Sequence, residues 1–133
     1  MKTLDLLKRM SDSIILKEHE TLQLKNVLLN LIGGVSIIDL DGVYLEVNDK
    51  YANTCGYTVD ELVGNEWVKT VFDEDIEIAK QCYYDMIDNG MSELMFRGVK
   101  KNGEVFNKEI ILVSKYDING NLNGHYCFMK EII

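Results

Sequence analysis

The chain has 133 residues, 47% hydrophobic and 27% charged, with a formal net charge of -8. That length suits one domain with at most an appendage, and the charge argues against nucleic acid or an anionic membrane surface as partner, because both call for clustered Lys and Arg. No apolar run approaches the roughly 20 residues of a membrane-spanning helix, so membrane insertion is not expected.

The opening MKTLDLLKRMSDS turns acidic and polar too early for a secretory leader. From Lys2 to Leu31 there is no glycine or proline, which predicts an N-terminal helix over residues 1–31 ahead of a domain over residues 32–133. A heptad frame runs through Leu7, Met10, Ile14, Lys17, Thr21, Leu24, Leu28 and Leu31. Its two polar positions adjoin KEHE, so the helix is either one rod or two pieces broken near residues 17–20. A seam this narrow suits a partner helix, and a helix lying on its own domain is the alternative; both can hold in different halves.

Gly33-Gly34 reads as the helix stop. VSIID and VYLEVN then flank Leu40-Asp41-Gly42, a hairpin signal. After Asn48 the pattern is helical for two turns until Gly56. Thr58 with Glu61 forms a capping box for another short helix, which Gly64 ends. In DEDIEIAKQCYYDMIDNG, the residues Ile76, Ala79, Tyr83, Met86 and Ile87 form one stripe with Cys82 at its edge. Asp73, Glu74 and Asp75 suit that helix's positive end, and Asn89-Gly90 closes it.

Three strand-like runs follow, SELMFRGVK, EVFNKEIILVSKY and LNGHYCFMKEII, joined by KNG and DING turns. The order predicts an α+β fold, an antiparallel sheet covered on one face by short helices and one longer helix. Cys55, Cys82 and Cys127 are odd in number and widely spaced, without CxxC. They read as buried thiols of a cytoplasmic protein, not as a disulfide or metal framework.

IIDLDG, the VN closing the second strand, GYTVDELVG, FDEDI, VKKNGEVF, the DxNG turn and KEII occur in that order. From about Leu28 onward the chain thereby resembles a PAS domain, the sensory module of bacterial signalling proteins, including those of two-component systems. The resemblance implies five antiparallel strands with helices on one face. It also implies a small-molecule pocket and an output domain such as a histidine kinase or diguanylate cyclase. Broken helices make a pliable lid over a rigid sheet, which suits a sensor.

Haem-binding members of the oxygen-sensor type carry a histidine on the long helix where this chain has Ala79. LOV members carry a flavin-reactive cysteine in a GRNCRFLQ-like segment, where this chain reads GNEWVKTV with Trp67. Their flavin-gripping amides correspond to Gly98, Lys108 and Met129, since Gly103 and Gly120 keep the family's separation. The resemblance therefore argues against haem and LOV-type flavin and leaves a small metabolite or no ligand.

In the same register Leu94, Phe96, Gly98, Lys108, Ile110, Leu112, Ser114, His125, Cys127 and Met129 point towards the helices. Ser36 and Ile38 join them from the first strand, and Ile76, Ala79, Tyr83 and Met86 from the long helix. From this inward set, Ser36, Ile38, Ile76, Ala79, Tyr83, Met86, Phe96, Lys108, Ile110, Leu112, His125, Cys127 and Met129 are the candidate ligand-binding residues. An inward lysine is costly without an anion. Lys108 is accordingly expected to bend to solvent at the strand edge, with a carboxylate ligand as the alternative. His125 is expected to be a core histidine bonded to backbone, and haem ligation through it is the remote variant. Ile111, Val113, Tyr126 and Phe128 alternate to the outer face, where the N-terminal helix and a second copy of the chain are expected to cover them.

Two functions compete. One is a sensor that relays a ligand through helix packing and dimerisation; the other is a ligand-free dimerisation module with its core filled by Phe96, Tyr83, Met86 and Met129. An enzyme is not expected, since no nucleophile and base stand at a recognisable spacing.

Overall fold

The computed structural model describes residues 33–132. The N-terminal helix expected over residues 1–31, with its continuity and its dimer seam, lies outside the described residues.

The strands are β1 (Gly34–Ile38), β2 (Tyr44–Val47), β3 (Met91–Val99), β4 (Val105–Tyr116) and β5 (Leu122–Ile132). Between β2 and β3 lie the helices α1 (Asp49–Thr54), α2 (Val59–Leu62) and α3 (Ile76–Asn89), and two 3-10 turns at Trp67–Thr70 and Asp73–Asp75. The sheet is five-stranded in the order β2-β1-β5-β4-β3, and every pairing is antiparallel.

Local chemistry accounts for most element ends. The β1–β2 turn closes on Asp39, whose Oδ1 accepts from the amides of Asp41 and Val43, both at 2.9 Å. The capping box is complete: Thr58 Oγ1 accepts from Glu61 N at 3.3 Å, and Glu61 Oε1 from Thr58 N at 2.9 Å. Gly90 ends α3 in the left-handed region, φ 85°, donating to Met86 O at 2.7 Å. Asn48 caps α1 through Oδ1, which accepts from Tyr51 N at 2.9 Å and also from Val35 N at 3.0 Å. That one side chain ties α1 to β1.

Gly34 is the first residue of β1, and a Cβ there would lie 2.3 Å from Tyr51 Cα; the helix that Gly33-Gly34 is expected to stop lies outside the described residues. Asp73, Glu74 and Asp75 lie directly ahead of α3, with Asp75 at its N-cap position, but no side-chain hydrogen bond caps the helix. Asp75 instead grips Arg97, accepting from its Nη2 at 2.7 Å, its Nε at 2.9 Å and its backbone N at 2.8 Å. These bonds hold the Asp75 carboxyl below its ordinary 3.8 and fasten the start of α3 to β3. Finally, the buried stripe of α3 is Ala79, Cys82 and Met86, which leaves Ile87 36% exposed and Cys82 at the centre.

One core cluster joins the inward residues of β3, β4 and β5, among them Phe96, Phe106, Ile110, Leu112, Cys127 and Met129, to α1, α2 and α3. Ile111, Val113, Tyr126 and Phe128 on the opposite face are buried as well. The helix expected over them lies outside the described residues.

Candidate functional site

The segment from Gly64 to Phe72 sets the geometry of the site. It is pinned to β2 by Gly64 N to Tyr44 O (2.9 Å), Tyr44 N to Asn65 O (2.9 Å) and Trp67 N to Gly42 O in the β1–β2 turn (2.9 Å). At its other end Phe72 N donates to Arg97 O of β3 at 3.1 Å, and Val71 bridges to Gly98. Because β2 and β3 are opposite edges of the sheet, the segment is a strap crossing the whole inner face. At about 4.8 Å between strands, that crossing is ~19 Å.

Under the strap and α3 lies a cavity of about 30 Å³. Its sheet wall is Ile38, Phe96, Lys108, Ile110, Leu112, His125 and Cys127; α3 adds Ala79 and Tyr83. Tyr44 of β2, Tyr51 of α1, and Trp67, Thr70 and Val71 of the strap complete it. Of the candidate residues, Ser36, Met86 and Met129 are fully buried but do not line the cavity. Ile76 borders a separate surface groove with Gly64, Asn65, Glu66, Val68, Lys69 and Asp73. The five lining residues that the strand register misses come from the strap, α1 and β2. Only Trp67 carried a signal, since it stands where LOV members place their cysteine.

A hydroxyl chain runs along one wall: Tyr51 Oη to Tyr44 Oη at 2.7 Å, Tyr44 Oη to Thr70 Oγ1 at 2.9 Å, and Thr70 Oγ1 to Trp67 O at 3.0 Å. The final carbonyl can only accept. Thr70 therefore donates to it, Tyr44 to Thr70 and Tyr51 to Tyr44, so every hydroxyl in the chain donates once. Tyr51 Oη has Cys127 Sγ at 3.8 Å as its other neighbour. Burial raises both tyrosines above 10.0 and pushes the Cys55 and Cys127 thiols up to about 11. The thiols are therefore protonated at neutral pH and poor nucleophiles. All three cysteines are free and buried, and no cluster of His, Cys, Asp or Glu that could hold a metal occurs among the described residues.

Lys108 does not bend to solvent. It is 2% exposed and turns inward, its Nζ lying over the Phe96 and Phe106 rings and meeting Thr70 O. The Nζ donates to Thr70 O at 3.2 Å and lies 5.2 Å from the centre of the Phe96 ring. Burial pushes this ammonium below its ordinary 10.5. His125 is a core histidine, 3% exposed with its ring edge-on to Tyr83 at 5.3 Å. Its Nδ1, however, has no hydrogen-bond partner among the described residues, where a backbone bond was expected. Burial lowers its pKa from 6.5 to about 4. His125 pairs with Ser114, six positions along β4 from Lys108. At about 3.3 Å per residue their Cα atoms stand ~20 Å apart, at opposite ends of the sheet wall.

The PAS fold family matches residues 22–132. The chain belongs to the PAS family. Among solved structures it is similar to the PAS domain of a protein from Colwellia psychrerythraea, with a TM-score of 0.72, 18% identity, and coverage of 84% of this chain and 96% of that one. It is also similar to the PAS domain, in complex with ethanol, of a LuxR-family transcriptional regulator from Burkholderia thailandensis (TM-score 0.63, 17% identity, 81% and 96% covered). A third similar structure is a PAS domain from a two-component sensor histidine kinase (TM-score 0.64, 15% identity, 85% and 99% covered). A search of the curated proteins gives no match.

The residues of this PAS domain do not fit a flavin or a haem. A side chain at Gly98, where LOV members place an amide, would meet the Phe106 ring at 2.8 Å and Thr70 O at 3.0 Å. Ala79 offers no iron ligand, and His125 lines a cavity with room for one or two waters.

Proposed function

We propose that this PAS domain is the sensory input of a signalling protein, taking a small ligand into the cavity beneath the strap. The observation that carries this reading is the lining itself. An apolar cavity is lined by two buried polar residues: Lys108, whose Nζ makes one hydrogen bond, to Thr70 O, and His125, whose Nδ1 makes none among the described residues. Small-molecule sites have this composition. The ethanol complex of the Burkholderia regulator's PAS domain supports a ligand of only a few atoms. Occupancy would press on the strap, which bonds to both edges of the sheet, and the sheet would pass the change to the N-terminal helix and a dimer partner. The output domain, kinase or cyclase, belongs to the parent protein, and the setting is cytoplasmic.

Single cysteines placed between residues 7 and 31 test the relay. Under oxidising conditions, the pattern of crosslinked positions is expected to shift when the cavity is filled. An identical pattern with and without ligand contradicts the relay.

The competing reading is a ligand-free dimerisation module, and the small cavity favours it. A native mass spectrum of protein purified from its host separates the two. A bound small compound supports the sensor; bare protein supports the module.

A further inference from the structure

We propose that the ligand of the cavity is a small monocarboxylate whose carboxylate oxygen binds Lys108 Nζ, an inference that rests on the cavity being a ligand site. Lys108 is 2% exposed, and its ammonium has three donors. Among the described residues only one of these is used, on Thr70 O, and no carboxylate pairs with it. The acid opposite it on β5, its cross-strand neighbour Glu131, is engaged with Lys100 at 3.5 Å. The other titratable groups that act on Lys108 are the Cys55 and Cys127 thiols, both protonated at neutral pH.

The fold therefore places one lysine amine at the wall of an apolar cavity, where burial disfavours its charged form and a bound anion would restore it. One cation calls for one negative charge, since a dianion would bury a second charge unpaired. The apolar surfaces beside it, Phe96, Ile110 and Leu112, call for a ligand whose other end is a short hydrocarbon. About 30 Å³ is room for one or two waters, so a carboxylate enters only as the strap gives, which keeps its hydrocarbon to one or two carbons. Acetate and propionate have this chemistry. His125, at the far end of the sheet wall, is not needed for it.

The test uses the whole chain and three probes of nearly equal size: propionate, propionamide and 1-propanol. Binding is followed by nuclear magnetic resonance titration. Propionate is expected to bind at least ten-fold more tightly than either uncharged probe, and in Lys108→Met that preference is expected to fall to about one. Equal binding of all three probes overturns the carboxylate assignment while leaving the cavity a ligand site. No binding by any of them overturns both. If Lys108→Met fails to fold, the wild-type ratio of charged to uncharged probe still decides the matter.

Discussion

Replacing Gly34 by alanine is expected to cost at least about 3 kcal/mol, a large share of the roughly 5–15 kcal/mol that holds an ordinary domain folded. The added Cβ would lie 2.3 Å from Tyr51 Cα, 2.5 Å from its Cβ and 2.7 Å from its N. Two of those atoms are backbone, and neither partner can withdraw. Gly34 is paired with Met129 in β5, the central strand, while α1 is held to β1 by the two bonds of Asn48 Oδ1. Urea unfolding followed by circular dichroism measures the loss. Gly120→Ala is the control: it has open space around it and φ 82°, so only backbone strain is added and the cost stays near 1 kcal/mol. A Gly34→Ala domain within 1 kcal/mol of wild type would mean that β1 and α1 do not pack as described.

Between pH 6.5 and pH 4 the domain is expected to lose about 3 kcal/mol of stability that a His125→Phe variant does not lose. Unfolded, His125 takes up a proton near its ordinary 6.5; folded, it resists until about 4. In that window the unfolded state binds the extra proton, so acid favours unfolding, and 2.5 units at about 1.36 kcal/mol each give the figure. Among the described residues no acid offsets the effect: Tyr83 flanks the ring, Ile38 and Ser114 are its cross-strand neighbours, and burial is the sole cause of the shift. The carboxylate contribution falls elsewhere. Asp75, held below 3.8 by Arg97, loses its stabilising bonds only at still lower pH. Urea midpoints from pH 7 to pH 4 for both proteins give the difference directly. Parallel curves would show that His125 titrates normally and is not enclosed.

The sheet was legible in the sequence because strand signals are local. Alternation over β4 and β5 sets which residues face inward, and Asp-Gly and Asn-Gly turns set where the strands reverse. The Thr58–Glu61 box was equally local. What escaped depends on contacts between distant residues. Gly34 reads as a helix stop until Tyr51, on another element, is laid against it. Lys108 reads as an edge lysine because the carbonyl that receives it belongs to Thr70, in a strap with no periodicity to reveal it. Tyr44 and Tyr51 sit in short elements whose inward side is fixed only by the hydroxyl chain they share. The strap itself was visible only as irregular sequence between helices, and its role follows from being bonded to β2 at one end and β3 at the other.

Methyl spectra of Ile110 and Leu112, recorded while propionate is added, test directly whether the cavity beneath the strap is where this domain meets its ligand. Their signals, with that of Ile38, are expected to shift in proportion to one another, while Ile78 and Ile118, which are 46% and 99% exposed, stay fixed. Shifts confined to the exposed isoleucines, or none at all, would contradict it.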